Sequence, residues 1–207
     1  MKLPDEIKTI ENKNEITIVI NKSSFIAQVY PILSENDIKE YLINAKKKYY
    51  DASHHCYAFK LSNGTNRYSD AGEPNGTAGL RIQNAIEHFA LSNQLVIVSR
   101  IFGGIKLGVG PLGKAYYQSA FELINNSNII TKYLFQKATI SIEHEQVSFI
   151  HRLLRNHKSI IEQTDYSDLI KLTCWLKSNE LKTISSKISE YGRNQISLLI
   201  HSETVYK

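Results

Sequence analysis

The sequence has little cysteine and no long hydrophobic run. Only two of its 207 residues are cysteines, Cys56 and Cys174, and they stand far apart in the chain. This scarcity excludes a disulfide scaffold and a cysteine-based zinc module, and it favours a reducing compartment. No apolar stretch approaches the roughly 18 residues of a transmembrane helix, and the first residues lack the apolar core of a signal peptide. We therefore expect a cytoplasmic protein that is not associated with a membrane.

Neither sign of charge dominates the chain. The 25 Lys and Arg residues against 20 Asp and Glu give a net charge of +5, with 42% hydrophobic residues. These values are typical of an ordinary globular protein and exclude a disordered, collagen-like or coiled-coil chain. The small positive excess allows nucleic-acid binding but does not by itself argue for it.

Glycine is scarce outside one part of the chain. Nine of the ten glycines lie between Gly64 and Gly113, in two main clusters over residues 70–79 and 102–113. Clustered glycine marks backbone that needs positive φ or a close approach by another group. Both clusters lie between an extended segment and a helix, where exposed backbone N–H groups can bind a phosphate.

Hydrophobic periodicity predicts mixed strands and helices in the first part of the chain. Alternating isoleucines over 15–20, followed by residues 24–30, predict a hairpin. Ser34 and Asp37 resemble a capping box that begins a helix to about Tyr50. The remaining predicted elements are strands over 54–60 and 94–100, a loop over 61–66, and helices after each glycine cluster.

A polar break over 125–128 separates this part from a conventional second half. The predicted domains are 1–130 and 131–207. Residues 131–207 show the element order β-α-β-β-α-β, which is typical of a ferredoxin-like sandwich. The predicted fold class is therefore α+β, an α/β domain followed by a ferredoxin-like domain.

Polar and glycine residues around the two clusters are the candidate binding residues. Arg100 draws attention because it ends a buried strand, and binding residues of open α/β sheets collect at strand ends. The predicted binding residues are Arg67, Gly72, Gly76, Thr77, Arg100, Gly103, Gly104, Lys106, Gly108 and Lys114.

Three further residues carry an alternative chemistry. His54, Asp70 and Glu73 have the residue types of a metal set or of an acid–base set. The favoured interpretation is that Asp70 and Glu73 cap turns and pair with Arg67 or Arg100. We expect no bound metal and no cofactor, and we expect Cys56 to pack in its apolar strand.

Four segments of the sequence resemble the YigZ/IMPACT family, and they occur in the family's order. The segments are 22–26, 51–58, 67–79 and 100–108. The resemblance implies a first domain like the second domain of a small-subunit ribosomal protein, and a second domain like one in elongation factor G. Two residues depart from the family pattern: Ala71 replaces a usual Asp, and Pro111 a usual Gly. A proline in the first turn of a helix is compatible with that helix start.

Two classes of function follow from these observations. The favoured class is a translation-associated binding or regulatory module that contacts RNA, the ribosome or a translation-related protein through a glycine-rich basic cleft. Both folds that the resemblance implies recur in translation proteins. The alternative is an enzyme acting on a phosphorylated or small polar substrate with His54, Asp70 and Glu73. The sequence does not indicate an oligomeric state.

Overall fold

A computed structural model describes residues 2–192 and 195–207. Met1, which begins the predicted domain 1–130, lies outside the described residues, as do Arg193 and Asn194 of the predicted domain 131–207. No helix in the described ranges has the length and apolar character needed to cross a membrane.

The chain divides into two compact units. The first unit contains Ile7–Thr131, and the second contains Lys132–Lys207 together with Leu3–Glu6. One strand, Ile129–Ile142, runs through the position where the sequence predicts a domain boundary.

Strands and helices alternate irregularly, and the mixed α+β class predicted from the sequence is confirmed. The strands are β1 (Glu6–Ile10), β2 (Asn14–Ile20), β3 (Ser23–Pro31), β4 (His54–Lys60), β5 (Asn66–Ser69), β6 (Gln94–Ile101), β7 (Ile129–Ile142), β8 (Ile160–Tyr166), β9 (Ile170–Lys177) and β10 (Ser197–Tyr206). The helices are α1 (Glu35–Lys48), α2 (Gly79–His88), α3 (Val109–Asn125), α4 (Val147–Asn156) and α5 (Leu181–Gly192). Short 3-10 turns precede α4 and α5.

The sheet of the first unit has the strand order β2-β3-β6-β4-β5. Every neighbouring pair in it is antiparallel. The buried strand predicted over residues 94–100 is confirmed as the central strand β6, because it is covered on both faces. The rule that binding residues collect at strand ends concerns parallel sheets, so it gives Arg100 no support here.

Helices cover both faces of this sheet. On one face α1 packs over Phe59, Leu95 and Ile97. On the other face α2 and α3 pack over a larger core that includes Phe25 and Val98. The predicted capping box of α1 is present, since the Asp37 carboxylate accepts hydrogen bonds from the N–H groups of Leu33 and Ser34.

The second unit has the strand order β10-β7-β9-β8. Its elements follow the predicted order β-α-β-β-α-β, and α4 and α5 contribute to its core. This sequence of elements with the first strand beside the third and fourth is typical of a ferredoxin-like sandwich. Trp175 is buried, but it lies on the face of β9 opposite to the core residues Leu172, Cys174 and Leu176.

Candidate functional site

Three strands of the first sheet place one side chain each in a common row. Phe25 of β3 and His54 of β4 both pair with Arg100 of β6. Phe25 belongs to the core under α2 and α3, so this row lies on the α2/α3 face of the sheet. The guanidinium carbon of Arg100 lies 5.6 Å from the ring centre of Phe25 and 5.5 Å from that of Phe102. Two aromatic rings therefore hold the Arg100 charge by cation–π contact.

Glu73, in the first glycine cluster, neutralises this buried arginine. Its Oε1 accepts hydrogen bonds from Arg100 Nη1 and from the Tyr116 hydroxyl, each at 2.8 Å. Only 4% of the Glu73 side chain and 8% of the Arg100 side chain are exposed. Burial raises the pKa of Tyr116, so its hydroxyl keeps its proton and remains a donor to the carboxylate. The network ties the loop before α2 to β6 and α3.

His54 lies at the outer side of this network. Its Nδ1 is 2.9 Å from the carbonyl oxygen of Ala71, which can only accept, so Nδ1 carries a proton. Its Nε2 lies 3.9 Å from Glu73 Oε2, and about a quarter of the side chain is exposed (26%). A Cβ at Gly72 would lie 3.2 Å from His54 Nδ1, and Gly72 has a φ of +91°. Both observations favour glycine beside the imidazole.

Asp70 stabilises the loop before α2, because its carboxylate binds backbone N–H groups of that loop rather than a ligand. Its carboxylate accepts hydrogen bonds from the N–H groups of Gly76, Ala78 and Gly79 at 2.8–2.9 Å. The N–H of Thr77 donates to the Pro74 carbonyl. This corrects the expectation that Gly76 and Thr77 offer N–H groups to a phosphate, because the chain's own oxygen atoms already occupy them.

The side chains predicted as a metal or acid–base set have other partners. Glu73 pairs with Arg100, and Asp70 binds backbone N–H groups. Within residues 2–192 and 195–207, no group of three or more His, Cys, Asp or Glu side chains is arranged to hold a metal ion. Cys56 is fully buried, its Sγ lies 2.9 Å from the Asp70 carbonyl oxygen, and burial raises its pKa to about 12. Its environment is that of a packed thiol rather than a nucleophile.

Arg67 lies on the other face of the sheet. It pairs with Phe59 across β5 and β4, and Phe59 faces α1. Its Nη1 is 2.8 Å from Glu35 Oε2 in α1. This corrects the expectation that Arg67 and Arg100 belong to one binding set, because the two side chains lie on opposite faces of the sheet. The sequence could not show this, because β5 has no apolar pattern and was not predicted as a strand.

The second glycine cluster forms an exposed loop between β6 and α3. Gly103 packs so closely against the hairpin turn before β3 that an added Cβ would lie 2.0 Å from the backbone of Lys22. Gly104 and Gly108 have positive φ of +85° and +76° and open space around them. The exposed side chains of this loop and of the first residue of α3 are Phe102, Ile105, Lys106 and Val109.

The first turns of α3 border a cavity of about 360 Å³ shared with α2. Its lining residues are Arg81, Asn84, Gly110, Gly113, Lys114 and Tyr117. The N-cap residue Gly108 supplies no side chain, and the first turn of α3 has no acidic residue. Pro111 lies in that first turn, where its missing N–H is tolerated. Arg81 and Asn84 are not among the binding residues predicted from the sequence, because nothing in the periodicity of α2 distinguishes them from other polar surface residues.

Comparison with known proteins gives a consistent set of relatives. The model of the Impact N-terminal domain matches residues 21–124. The IMPACT family member YvyE of Bacillus subtilis is 28% identical over 184 residues, covering 88% of this chain and 85% of that protein. The IMPACT family member YigZ of Escherichia coli is 27% identical over 194 residues, covering 91% and 95%. A crystal structure of a hypothetical protein superimposes with a TM-score of 0.67 at 26% identity, covering 97% of this chain and all of the other.

Proposed function

The chain belongs to the IMPACT family, and we propose that it is a translation-associated binding module of the cytoplasm that contacts RNA through the start of α3 and the loop before it. The observation that carries this proposal is the pair of cations, Arg81 and Lys114, at the glycine-lined cavity beside the first turns of α3. Arginine and lysine at such a position bind the phosphate backbone of a nucleic acid.

The two helix starts differ in a way that supports this choice. The N–H groups at the start of α2 are bound by Asp70, whereas α3 begins at a glycine without a side-chain cap or an acidic first turn. An uncapped helix N-terminus favours an anion. At Gly110 an added Cβ would meet nothing within 4 Å, so a ligand can approach the backbone there.

The loop before α3 adds the contacts that a nucleic acid also uses. Lys106 is exposed, and 45% of Phe102 and 44% of Ile105 are exposed beside it. An exposed aromatic ring next to cations is suited to stacking with an unpaired base. The buried network of Glu73, Arg100 and Tyr116 supports this loop from beneath, since the Arg100 guanidinium lies against the Phe102 ring.

The same contacts weigh against the enzyme alternative. Glu73 is neutralised by Arg100, and the Asp70 carboxylate is bound by three backbone N–H groups. Both carboxylates are therefore used to hold the loop before α2 in place, whereas a general base must be presented to the substrate. The binding module is therefore the function that the geometry supports best.

Titration of a short fluorescent single-stranded RNA, followed by anisotropy at two salt concentrations, tests the proposal. We expect Arg81→Ala, Lys106→Ala and Lys114→Ala each to weaken binding and to reduce the salt dependence by the equivalent of about one ion. Arg67→Ala is the matched control, because it removes the same charge from the opposite face.

Two outcomes would contradict the proposal. Equal losses of RNA affinity in Arg67→Ala and Arg81→Ala would mean that only the net charge of the chain attracts RNA. Absence of RNA binding, together with crosslinking of Lys106 or Lys114 to a protein in cell extract, would assign this surface to a protein partner instead.

A further inference from the structure

A second and larger cavity lies on the opposite face of the first sheet, between α1 and the strands β2 and β3. Its volume is about 640 Å³, within the range of pockets that bind small molecules. Its lining residues are Lys13, Asn14, Glu15, Gln28, Tyr30, Tyr41, Asn44 and Lys48. The predicted RNA surface at α3 includes none of these residues, so the two sites are independent.

Gln28 is the one buried residue in the lining of this cavity. Only 3% of the residue is exposed, and its Nε2 donates to Glu15 Oε2 at 2.7 Å. Its Oε1 accepts no hydrogen bond from the part of the chain that the structure describes. This oxygen is closed to solvent, so a ligand N–H reaches it only when the Gln28 side chain turns toward the cavity. A buried amide oxygen without a donor is unfavourable, and this favours the turn.

The charges around the cavity favour a ligand with an anionic group. Lys48 Nζ lies 2.8 and 3.0 Å from the two carboxylate oxygens of Glu15, so these two charges are matched. Lys13 forms no ion pair with any described residue, and it leaves the cavity with one positive charge in excess. A phosphate or carboxylate on the ligand would meet that charge.

Two aromatic rings complete the lining. The rings of Tyr30 and Tyr41 are stacked on each other, with centres 4.2 Å apart and planes inclined by 20°. A stacked tyrosine pair is a rigid, flat surface that suits another planar ring. The Asn44 amide adds a donor and an acceptor on the α1 side.

We propose that this cavity binds a free nucleoside monophosphate, whose base donates an N–H to Gln28 Oε1 and packs against the tyrosine pair while its phosphate meets Lys13. A nucleotide is the common small-molecule class that combines a planar ring, N–H donors and an anion. The proposal assigns to the α1 face a function separate from the RNA contact at α3.

Titration of the full chain with AMP, GMP, CMP and UMP, followed by amide NMR spectra, tests this proposal. We expect at least one nucleotide to shift the side-chain amide signal of Gln28 and the backbone signals of Tyr41 and Asn44, with half-saturation below about 1 mM. Inorganic phosphate alone should shift only the signals near Lys13. The spectrum of the unaltered chain keeps the test valid even if a variant fails to fold.

Three variants separate the contributions. Lys13→Ala should weaken the nucleotide about tenfold and leave the corresponding nucleoside unchanged, because it removes one charge-assisted contact. Tyr41→Leu should weaken nucleotide and nucleoside alike. Lys39→Ala, an exposed change on the same helix but outside the cavity, is the control and should have no effect.

Two results would overturn the proposal. One is the absence of any shift at Gln28 with all four nucleotides at 10 times the concentration of half-saturation given above, that is about 10 mM. The other is a response at these residues to an RNA oligonucleotide but to no mononucleotide, which would assign the cavity to the RNA chain.

Discussion

Arg100 Nη1 lies 2.8 Å from Glu73 Oε1, and only 8% and 4% of the two side chains are exposed. The two residues are far apart in the sequence, and their contact joins the first glycine cluster to the strand before the second. Breaking a buried pair by removing one partner leaves an uncompensated charge. The ion pair is therefore the point at which the two clusters depend on each other.

The first prediction concerns this pair. Glu73→Gln and Arg100→Met should each lower the free energy of unfolding by about 3 to 5 kcal/mol, since each leaves a buried charge unpaired. The double variant should lose clearly less than the sum, with a coupling of about 1 to 3 kcal/mol, measured by urea unfolding. Tyr116→Phe removes one hydrogen bond to the same charged carboxylate and should cost about 1.5 to 3 kcal/mol. If the losses in free energy of unfolding of the two single variants simply add in the double variant, Glu73 and Arg100 do not form a coupled ion pair.

The second prediction concerns Gly103 in the loop before α3. Gly103→Ala should lower the free energy of unfolding by about 3 kcal/mol or more, because the added Cβ would lie 2.0 Å from the Lys22 backbone. Gly110→Ala is the control: its Cβ meets nothing within 4 Å, and alanine favours a helix, so we expect a gain of about 0.5 kcal/mol. Thermal unfolding of both variants checks the contrast. Equal stability of the two variants would show that the hairpin turn moves away from position 103 at little cost.

The third prediction concerns the two thiols. Burial raises the pKa of Cys56 and of Cys174 to about 12, so neither is a thiolate at neutral pH. We expect iodoacetamide to modify neither residue in the folded protein at pH 7.5, and to modify both in 6 M guanidinium chloride, as counted by intact mass. Rapid modification of Cys56 in the folded protein would reopen its role as a nucleophile.

The fourth prediction concerns His55, which lies on the face of β4 opposite to His54 and has Nδ1 2.8 Å from Ser99 Oγ. Burial, with a smaller effect of the Lys46 charge, lowers the pKa of His55 from its ordinary value of 6.5. The unfolded chain therefore takes up this proton at a higher pH than the folded chain does. The stability contributed by neutral His55 is complete above pH 6.5 and is lost as the pH falls below it, towards the lower folded pKa.

Urea unfolding between pH 5 and 8 measures this dependence. We expect His55→Gln to flatten the fall in the free energy of unfolding below pH 6.5. The control His144→Gln, at an exposed histidine, should show the same pH profile as the unaltered chain. If both variants follow the profile of the unaltered chain, another group is responsible for the acid sensitivity.

Several parts of the fold follow from sequence patterns that tertiary structure does not override. The continuous apolar run of β6 predicts a strand buried on both faces, and the apolar spacing before Leu123 predicts a helix buried on one face. Both predictions are correct, because the two kinds of burial leave different apolar periods in the sequence. β5 was missed because three of its four residues are exposed and no apolar alternation marks it. β1 was missed because it is short and lies outside the recognised hairpin.

The arrangement of the candidate site depends on facts that periodicity does not contain. Tyr116 has the spacing of a core residue and is in the core, yet its hydroxyl binds Glu73, a contact that only the docking of α3 creates. Arg67 could be placed on its face only after β5 was known to pair with β4. The hydrogen bonds of Asp70 to its own loop could be recognised only from the path of the backbone through residues 71–79. Residue types alone favoured a cap over a ligand for that carboxylate, but they did not identify the N–H groups that it binds.

The position of β3 between β2 and β6 has a consequence for synthesis of the chain. β3 is complete at Pro31, but its second neighbour begins only at Gln94, after α1, β4, β5 and α2 have been made. Because the chain is synthesised at about 5–20 residues per second, one side of β3 has no hydrogen-bonding partner for several seconds. During that interval the nascent β2–β3 hairpin exposes the apolar side chains of Phe25 and Val29, which are fully buried later. Chaperone contact with the growing chain is therefore most needed between the emergence of these two strands and that of β6.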